Sequence, residues 1–422
     1  LVRVIHSELV QPKNSVRNLM GVTTIEKPIA PPRRPGAVEW LRKNLFNTWY
    51  NSILTIVTVV VLYFVVRAAL EWVFVNADWR PIFRAPLLYL VGSYPRTEIW
   101  RVSASLWMVS LLFGLSWGVW HGLFRSFALA LAVVLSFGVF LPPPDAAPAL
   151  LFRLSWLVNP LLIFFGFFVA TRLKFTSRHL LIGWLLSFIL TPLLLRGIKG
   201  SSLLPSVETS LWGGLLVTLI LAIGGLLLAF PIGILLALGR RSTLPVVHYS
   251  SVIVIEAVRG VPLITILFMT SIIVALFLPP ELRIDRLVRA MFGMTIFAAA
   301  YLAENVRGGL QAIPPGQVEA AHSIGLSGLQ TTFLIELPQA LRAVIPPMVG
   351  QFISLFKDTT LAVIVGITEL LAIGRAVIQS DPEFIQLQAE VFVFIAAVFF
   401  VLSSVMSYSS RRLEERLGVG ER

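Results

Sequence analysis

The stretch Trp212-Gly-Gly-Leu-Leu-Val-Thr-Leu-Ile-Leu-Ala-Ile-Gly-Gly-Leu-Leu-Leu-Ala-Phe-Pro231-Ile-Gly-Ile-Leu-Leu-Ala-Leu238 contains no charged residue. A helix crosses the hydrocarbon core with about 17–25 mostly apolar residues, and only helices or closed barrels satisfy every backbone polar group there. The stretch therefore reads as a membrane-spanning helix. Nine further segments come near that length, at approximately 50–75, 103–120, 126–141, 154–171, 179–195, 249–278, 290–305, 343–360 and 388–408. The expected fold is all-α, a polytopic transmembrane helical protein of about ten spans. Composition agrees: 57% of the residues are hydrophobic and 13% charged, against about 45–50% and about 25% in a soluble domain. That excludes a soluble enzyme, a disordered chain and a fibrous one. The net charge of +12 points to loops facing anionic lipid and the cytoplasm, not to nucleic acid. The absence of cysteine excludes disulfide scaffolds, zinc–thiolate sites and cysteine nucleophiles. The histidines are scattered without metal-ligand spacing, so neither a metal site nor a catalytic residue is expected.

Residues 1–48 form a polar N-terminal segment with Pro28, Pro31, Pro32 and Pro35 around Arg33 and Arg34. It has no apolar h-region, so no cleaved signal peptide is expected. With the N-terminus inside, cytoplasmic segments hold 20 of the 34 Lys and Arg residues and outer segments hold 12, the bias that orients membrane proteins. Both termini are then cytoplasmic. Segment 76–102 holds Trp79, Tyr89, Tyr94 and Trp100 with four arginines, and reads as an interfacial stretch whose aromatics sit at headgroup level. Gly197, Gly200, Ser201, Ser202, Pro205 and Ser206 read as a linker. It separates five spans within 49–198 from five more within 205–418.

Between two spans on the cytoplasmic side lies Pro314-Pro-Gly-Gln-Val-Glu319-Ala320-Ala321-His-Ser-Ile-Gly325-Leu326, which continues to Leu337-Pro338. A short helix through Glu319, Ala320 and Ala321 should end near Gly325, and a second should run to Pro338. The alanines leave a flat face for close approach by a partner. Leu326, Leu329 and Phe333 recur at helical spacing.

Glu319-Ala320-Ala321, Gly325 and Leu337-Pro338 resemble the EAA loop of ABC importer permeases. Trp212-Gly213-Gly214, Glu256-Ala-Val-Arg259-Gly260-Val-Pro262, Tyr301-Leu-Ala-Glu304-Asn-Val-Arg307-Gly308-Gly309 and Lys357-Asp358-Thr359-Thr360 are similar to motifs of the polar amino acid permease family, in the same order. The likeness covers about 205–418. Trp40-Leu-Arg-Lys-Asn-Leu-Phe46 and Tyr94-Pro95 resemble the extended-N-terminus subunit of general L-amino acid permeases. The sequence departs from the wider family at Val261 and at Phe297-Ala-Ala-Ala300, so substrate contacts are not carried over there.

The resemblance implies a five-helix permease core entering from outside, which matches the orientation from charge. It further implies a bacterial inner membrane location and an amino acid substrate. The implied partners are a second permease subunit, an ABC ATPase dimer that holds ATP and Mg, and a substrate-binding protein. The chain lacks GxxxxGK[ST], so no phosphate cradle of its own is expected. Glu319, Ala320, Ala321, Gly325 and Leu326 would form the coupling element. Glu319 would cap its helix or pair with a base on the ATPase.

Ionisable groups inside spans are functional candidates, since each costs about 2.5–3.5 kcal/mol at a helix centre. Lys357, Asp358, Thr359 and Thr360 interrupt an apolar run. An acid for an ammonium, with a base and hydroxyls for a carboxylate, suits a zwitterion; a capped helix end explains the same residues. Glu256 and Arg259 are three apart and should share a face and pair. So should Glu304 and Arg307. Substrate contact and structural pairing both remain open for these two pairs. Two other functions fit in outline. One is an ion-coupled secondary transporter, which calls for inverted repeats not visible in the sequence. The other is an ABC permease subunit that scaffolds while its partner holds substrate.

Overall fold

The computed structural model describes residues 36–143, 148–173, 175–279 and 284–417. The expected proline and arginine run over 28–35 lies outside the described residues. The chain divides after Ala77 into two compact units. The first contains α1 (Ala37–Asn44) and α2 (Trp49–Glu71), the latter extended by a π turn over Trp72–Asn76. Thr48 starts α2 by accepting from the Asn51 backbone N–H. Helix α2 is apolar over a length that suits a membrane span.

The second unit opens with two short helices, α3 (Arg80–Arg84) and α4 (Pro86–Val91). Within the segment expected to lie at headgroup level, Tyr89 and Tyr94 pack inside the protein at 2% and 1% exposure, while Trp100 is 46% exposed. The Tyr94 hydroxyl donates to Leu195 O at 2.8 Å, where a helix ends with unpaired carbonyls. Burial pushes this phenol up to about 12, so it stays a neutral donor. A four-helix group follows, α5 (Ile99–Trp120), α6 (Leu123–Ser136), α7 (Ala149–Arg172) and α8 (Ser177–Arg196). Gly166 lets α7 cross α5 closely: a Cβ there would lie 2.6 Å from Leu111 O. Ser110 donates to Asn159 at 2.9 Å inside the same crossing. Small residues and buried side-chain bonds are what hold helices together where lipid competes with every apolar contact.

The segment after α8 folds back on itself through Ile198 N–H to Leu204 O and Val207 N–H to Arg196 O. It covers fully buried Arg101, which donates to Pro205 O at 2.8 Å and pairs with Glu98 at 2.8 Å. Next come α9 (Gly214–Arg240), α10 (Pro245–Arg259), α11 (Leu263–Phe268), α12 (Val274–Phe277) and α13 (Arg286–Gln311). Helix α9 runs through Pro231 without a break and lies against α13. Gly233 faces Leu302 and Ala299, and Ala298, Ala299, Leu302 and Ala303 are wholly buried. The expected single span over 249–278 is not one helix. Its halves, Pro245–Arg259 and Leu263–Phe277, meet at 107°. Pro262 has no N–H to continue the ladder and disfavours helical geometry at Val261.

The chain ends with α14 (Pro315–Ser323), α15 (Gly328–Thr331), α16 (Leu337–Asp358), α17 (Leu370–Ser380) and α18 (Gln388–Leu417). The protein is polytopic and all-α: eight described helices are long and apolar enough to cross a membrane, and the bent pair makes nine if counted as one. The expected span at 126–141 is a shorter apolar helix. Residues 91–92, 195–214, 285–287 and 366–369 gather at one end of the core. Arg240, Arg241, Glu256, Glu304 and Glu336 gather at the other, about 40 Å away by the length of α9.

Candidate functional site

The loop between α13 and α16 starts at Pro314-Pro315, whose ring geometry suits the first turn of α14. This helix stops at Ser323, and Gly325 turns the chain at φ +85°, a conformation that disfavours residues with a Cβ. A capping box of Ser327 and Gln330 starts α15. A π turn, Thr332–Glu336, then feeds directly into α16. The second helix therefore does not stop at Pro338 as expected. The wider π turn precedes the proline, whose missing N–H would otherwise interrupt an α-helical ladder. The N-terminus of α14 has no side-chain cap, so Glu319 does not perform that role. Glu319, Ala320 and Gly325 face solvent, Leu326 is half-buried, and Ala321 packs inward at 3% exposure. Ile324, Leu329, Phe333 and Leu334 are 77%, 75%, 54% and 62% exposed.

Beside this loop, charges from three helices converge on Glu304. Its carboxylate accepts from Arg240 at 2.6 Å and from Arg307 at 2.9 and 3.0 Å, and lies 3.7 Å from Arg259. Arg240 also donates to Glu256 at 2.9 Å. The expected Glu256–Arg259 pair does not form. Each side chain turns toward the opposite charge supplied by a neighbouring helix, because α10 packs on both α9 and α13. The Glu304–Arg307 pair forms as expected.

Lys357 and Asp358 close α16, and Thr359 begins a 3₁₀ turn that ends at Gly366 with φ +76°. Thr359 is wholly buried and donates to Phe356 O at 2.7 Å; Thr360 donates to Lys357 O at 2.8 Å. Asp358 is half-buried and accepts from Ser354 at 3.4 Å, while Lys357 is exposed. Glu256 and Arg259 belong to the charge cluster beside the loop, so the fold does not join them to the Lys357–Thr360 group. At the end of the core opposite the loop, a cavity of about 590 Å³ is lined by Arg196, Lys199, Asp285, Arg286 and Thr368 among others. Residues 357–360 are not part of its wall.

Sequence reading missed Glu369 and α17. Both Glu369 carboxylate oxygens accept backbone N–H groups at 2.8 Å, from Leu371 and Ala372. Burial pushes this carboxyl up to about 7, against those two bonds and Arg375, which favour its ionised form. The apolar positions Leu370, Ile373, Gly374, Val377 and Ile378 have the helical period that signals a buried face. The motif Trp212-Gly213-Gly214 also has a local cause. Gly213 N–H donates to Val91 O, Gly214 N–H to Thr368 O, and Thr368 Oγ1 to Trp212 O, so three backbone segments cross where no Cβ fits.

Residues 229–419 match the family described as binding-protein-dependent transport system inner membrane component. Over 405 residues the chain is 36% identical to the inner membrane amino-acid ABC transporter permease protein YhdY of Escherichia coli, covering 91% of this chain and 94% of that one. It belongs to the amino-acid permeases of ABC transporters. The permease is also 36% identical to the glutamate/glutamine/aspartate/asparagine transport system permease protein BztC of Rhodobacter capsulatus, covering 92% of this chain and 95% of that one. A shorter relative, the probable glutamine ABC transporter permease protein GlnP of Bacillus subtilis, is 38% identical over 49% of the permease and 93% of its own length. A solved amino acid ABC transporter aligns at 26% identity and a TM-score of 0.44, over 48% of the permease and 92% of that chain. These relatives are transport permease components.

Proposed function

We propose that this chain is the permease subunit of an ATP-driven amino acid importer of the bacterial inner membrane, with both termini in the cytoplasm. A second permease subunit completes the path, an ABC ATPase dimer holds ATP and Mg, and a substrate-binding protein delivers the amino acid from outside. The loop 314–338 docks on the ATPase, and closure of the nucleotide sandwich moves the attached helices as rigid bodies, giving alternating access. The observation that carries this reading is the exposed apolar group Ile324, Leu329, Phe333 and Leu334 on a loop that also bears Glu319-Ala320-Ala321. Exposed apolar patches of this kind mark partner surfaces. Asp358, with Lys357 beside it, is the substrate-path group, the acid receiving the ammonium and the base the carboxylate.

One observation favours a second reading, in which this subunit scaffolds and its partner holds the substrate. The hydroxyls of Thr359 and Thr360 are already used on carbonyls of the preceding turn. Reconstitution of the complete transporter in liposomes, with ATP inside and no ion gradient, tests the main proposal. Uptake is expected with ATP and is lost without it. Uptake that follows an imposed ion gradient and ignores ATP refutes the importer reading. Asp358→Asn is expected to abolish uptake and substrate-stimulated hydrolysis; if both persist, the scaffold reading replaces the site assignment.

A further inference from the structure

Arg240 and Arg241 end α9 side by side, and their side chains leave in different directions. Arg240 holds Glu256 and Glu304, which fixes the end of α9 to α10 and α13. Arg241 reaches Glu336 at 3.1 Å, on the last residue of the π turn that leads from the coupling loop into α16. The Glu336 side chain is 8% exposed, and its other oxygen accepts from Thr332 at 3.1 Å. The loop is also joined to the core by its own chain, through α13 on one side and α16 on the other. Two irregular points lie in it. Gly325 has a left-handed backbone, and π turns are among the places where helices bend. A push on α14 and α15 is absorbed at these points unless something braces them. The Glu336 carboxylate braces the second one: one oxygen accepts from Thr332 at the start of the turn and the other from Arg241 at the end of α9.

We propose that Arg241 and Glu336 form a strut that stays closed throughout the transport cycle. It stiffens the π turn, so that displacement of the coupling loop moves α9, and through Arg240 and Glu304 also α10 and α13. These are positioning residues: they touch neither nucleotide nor amino acid, and the inference rests on the reading that the loop docks on the ATPase.

The test uses the complete transporter in liposomes and reads ATP hydrolysis and uptake together. Arg241→Ala is expected to leave hydrolysis within about twofold of wild type while uptake per ATP falls about tenfold, a coupling loss of the size that linked sites carry. The charge-swapped pair Arg241→Glu with Glu336→Arg is expected to recover about half of that ratio or more. Because the chain has no cysteine, Arg241→Cys with Glu336→Cys allows a short, cleavable thiol cross-link at the strut alone. The locked pair is expected to transport at least as well as the reduced double variant, which lacks the ion pair. An unchanged ratio in Arg241→Ala overturns the strut, as does a cross-link that stops uptake until it is cleaved. Phe333→Ser separates this inference from the docking reading. It is expected to release the ATPase from the membrane, and an ATPase that stays bound sinks the docking reading whatever Arg241 does.

Discussion

Replacing Glu304 by Gln keeps the shape of the side chain and removes the one carboxylate on which three arginines converge. The Glu304 side chain is 16% exposed, and those of Arg240, Arg259 and Arg307 are 25%, 35% and 30% exposed. Breaking a buried pair by removing one partner costs about 3–5 kcal/mol, because the remaining charge is left uncompensated. Here the arginines keep part of their hydration and Arg240 retains Glu256, which places the expected loss near the lower end, about 3 kcal/mol. The assay is unfolding of the purified chain in mixed micelles, driven by denaturing detergent and followed through the fluorescence of its 11 tryptophans. A double-mutant cycle with Arg240→Gln isolates the pair, for which a coupling of about 1–3 kcal/mol is expected. A Glu304→Gln midpoint equal to wild type, or strict additivity in the cycle, would refute the view that this cluster ties α9, α10 and α13 together.

Two further outcomes follow from the opposite end of the core. The Glu369 carboxyl has a raised folded value, so the stability it contributes is complete below its ordinary value of 4.5 and is lost as pH rises through about 7; thermal unfolding is therefore expected to be less favourable at about pH 5 than at about pH 8, by roughly 3 kcal/mol from this group. Glu369→Gln should flatten that difference, and a variant that keeps the full pH dependence shows that other groups cause it. Gly214 sits at φ +61° with Leu88 O 2.9 Å from the position of a Cβ, so Gly214→Ala is expected to cost about 1–2 kcal/mol for the left-handed backbone and about 1–3 kcal/mol for crowding. The same micelle titration reads it, and an unchanged midpoint refutes the packing account of the glycine pair.

Most spans were legible because lipid imposes a single local requirement, a long run of apolar residues with internally paired backbone. Residues 50–75, 154–171, 179–195 and 290–305 needed nothing more. The segment 249–278 misled because apolar length counts residues and does not register direction; Gly260 and Pro262 were visible, but a 107° turn depends on what the two halves pack against. The packing of Tyr89 and Tyr94 was not legible for a related reason. An aromatic with a hydroxyl suits a headgroup layer and a buried helix end equally well, and Leu195 O is remote in sequence. In the loop 314–338, Gly325 and the break before it were readable from local chemistry, whereas the exposure of Ile324, Leu329 and Phe333 was not.

From residue order alone came an all-α membrane protein, a punctuated loop with small residues, and ionisable groups in apolar surroundings. Each of these is a local property, set by side-chain polarity and by the conformations that Gly and Pro permit. The tertiary structure decided which charges meet. Glu256 and Arg259 share a helix, yet they are separated because α9 and α13 bring Arg240 and Glu304 closer to them than they are to each other. Electrostatic pairing follows distance through space, and in a helical bundle that distance is set by how closely α9 and α13 pack, here through Gly233 against Ala299 and Leu302, within about two turns of Arg240 and Glu304.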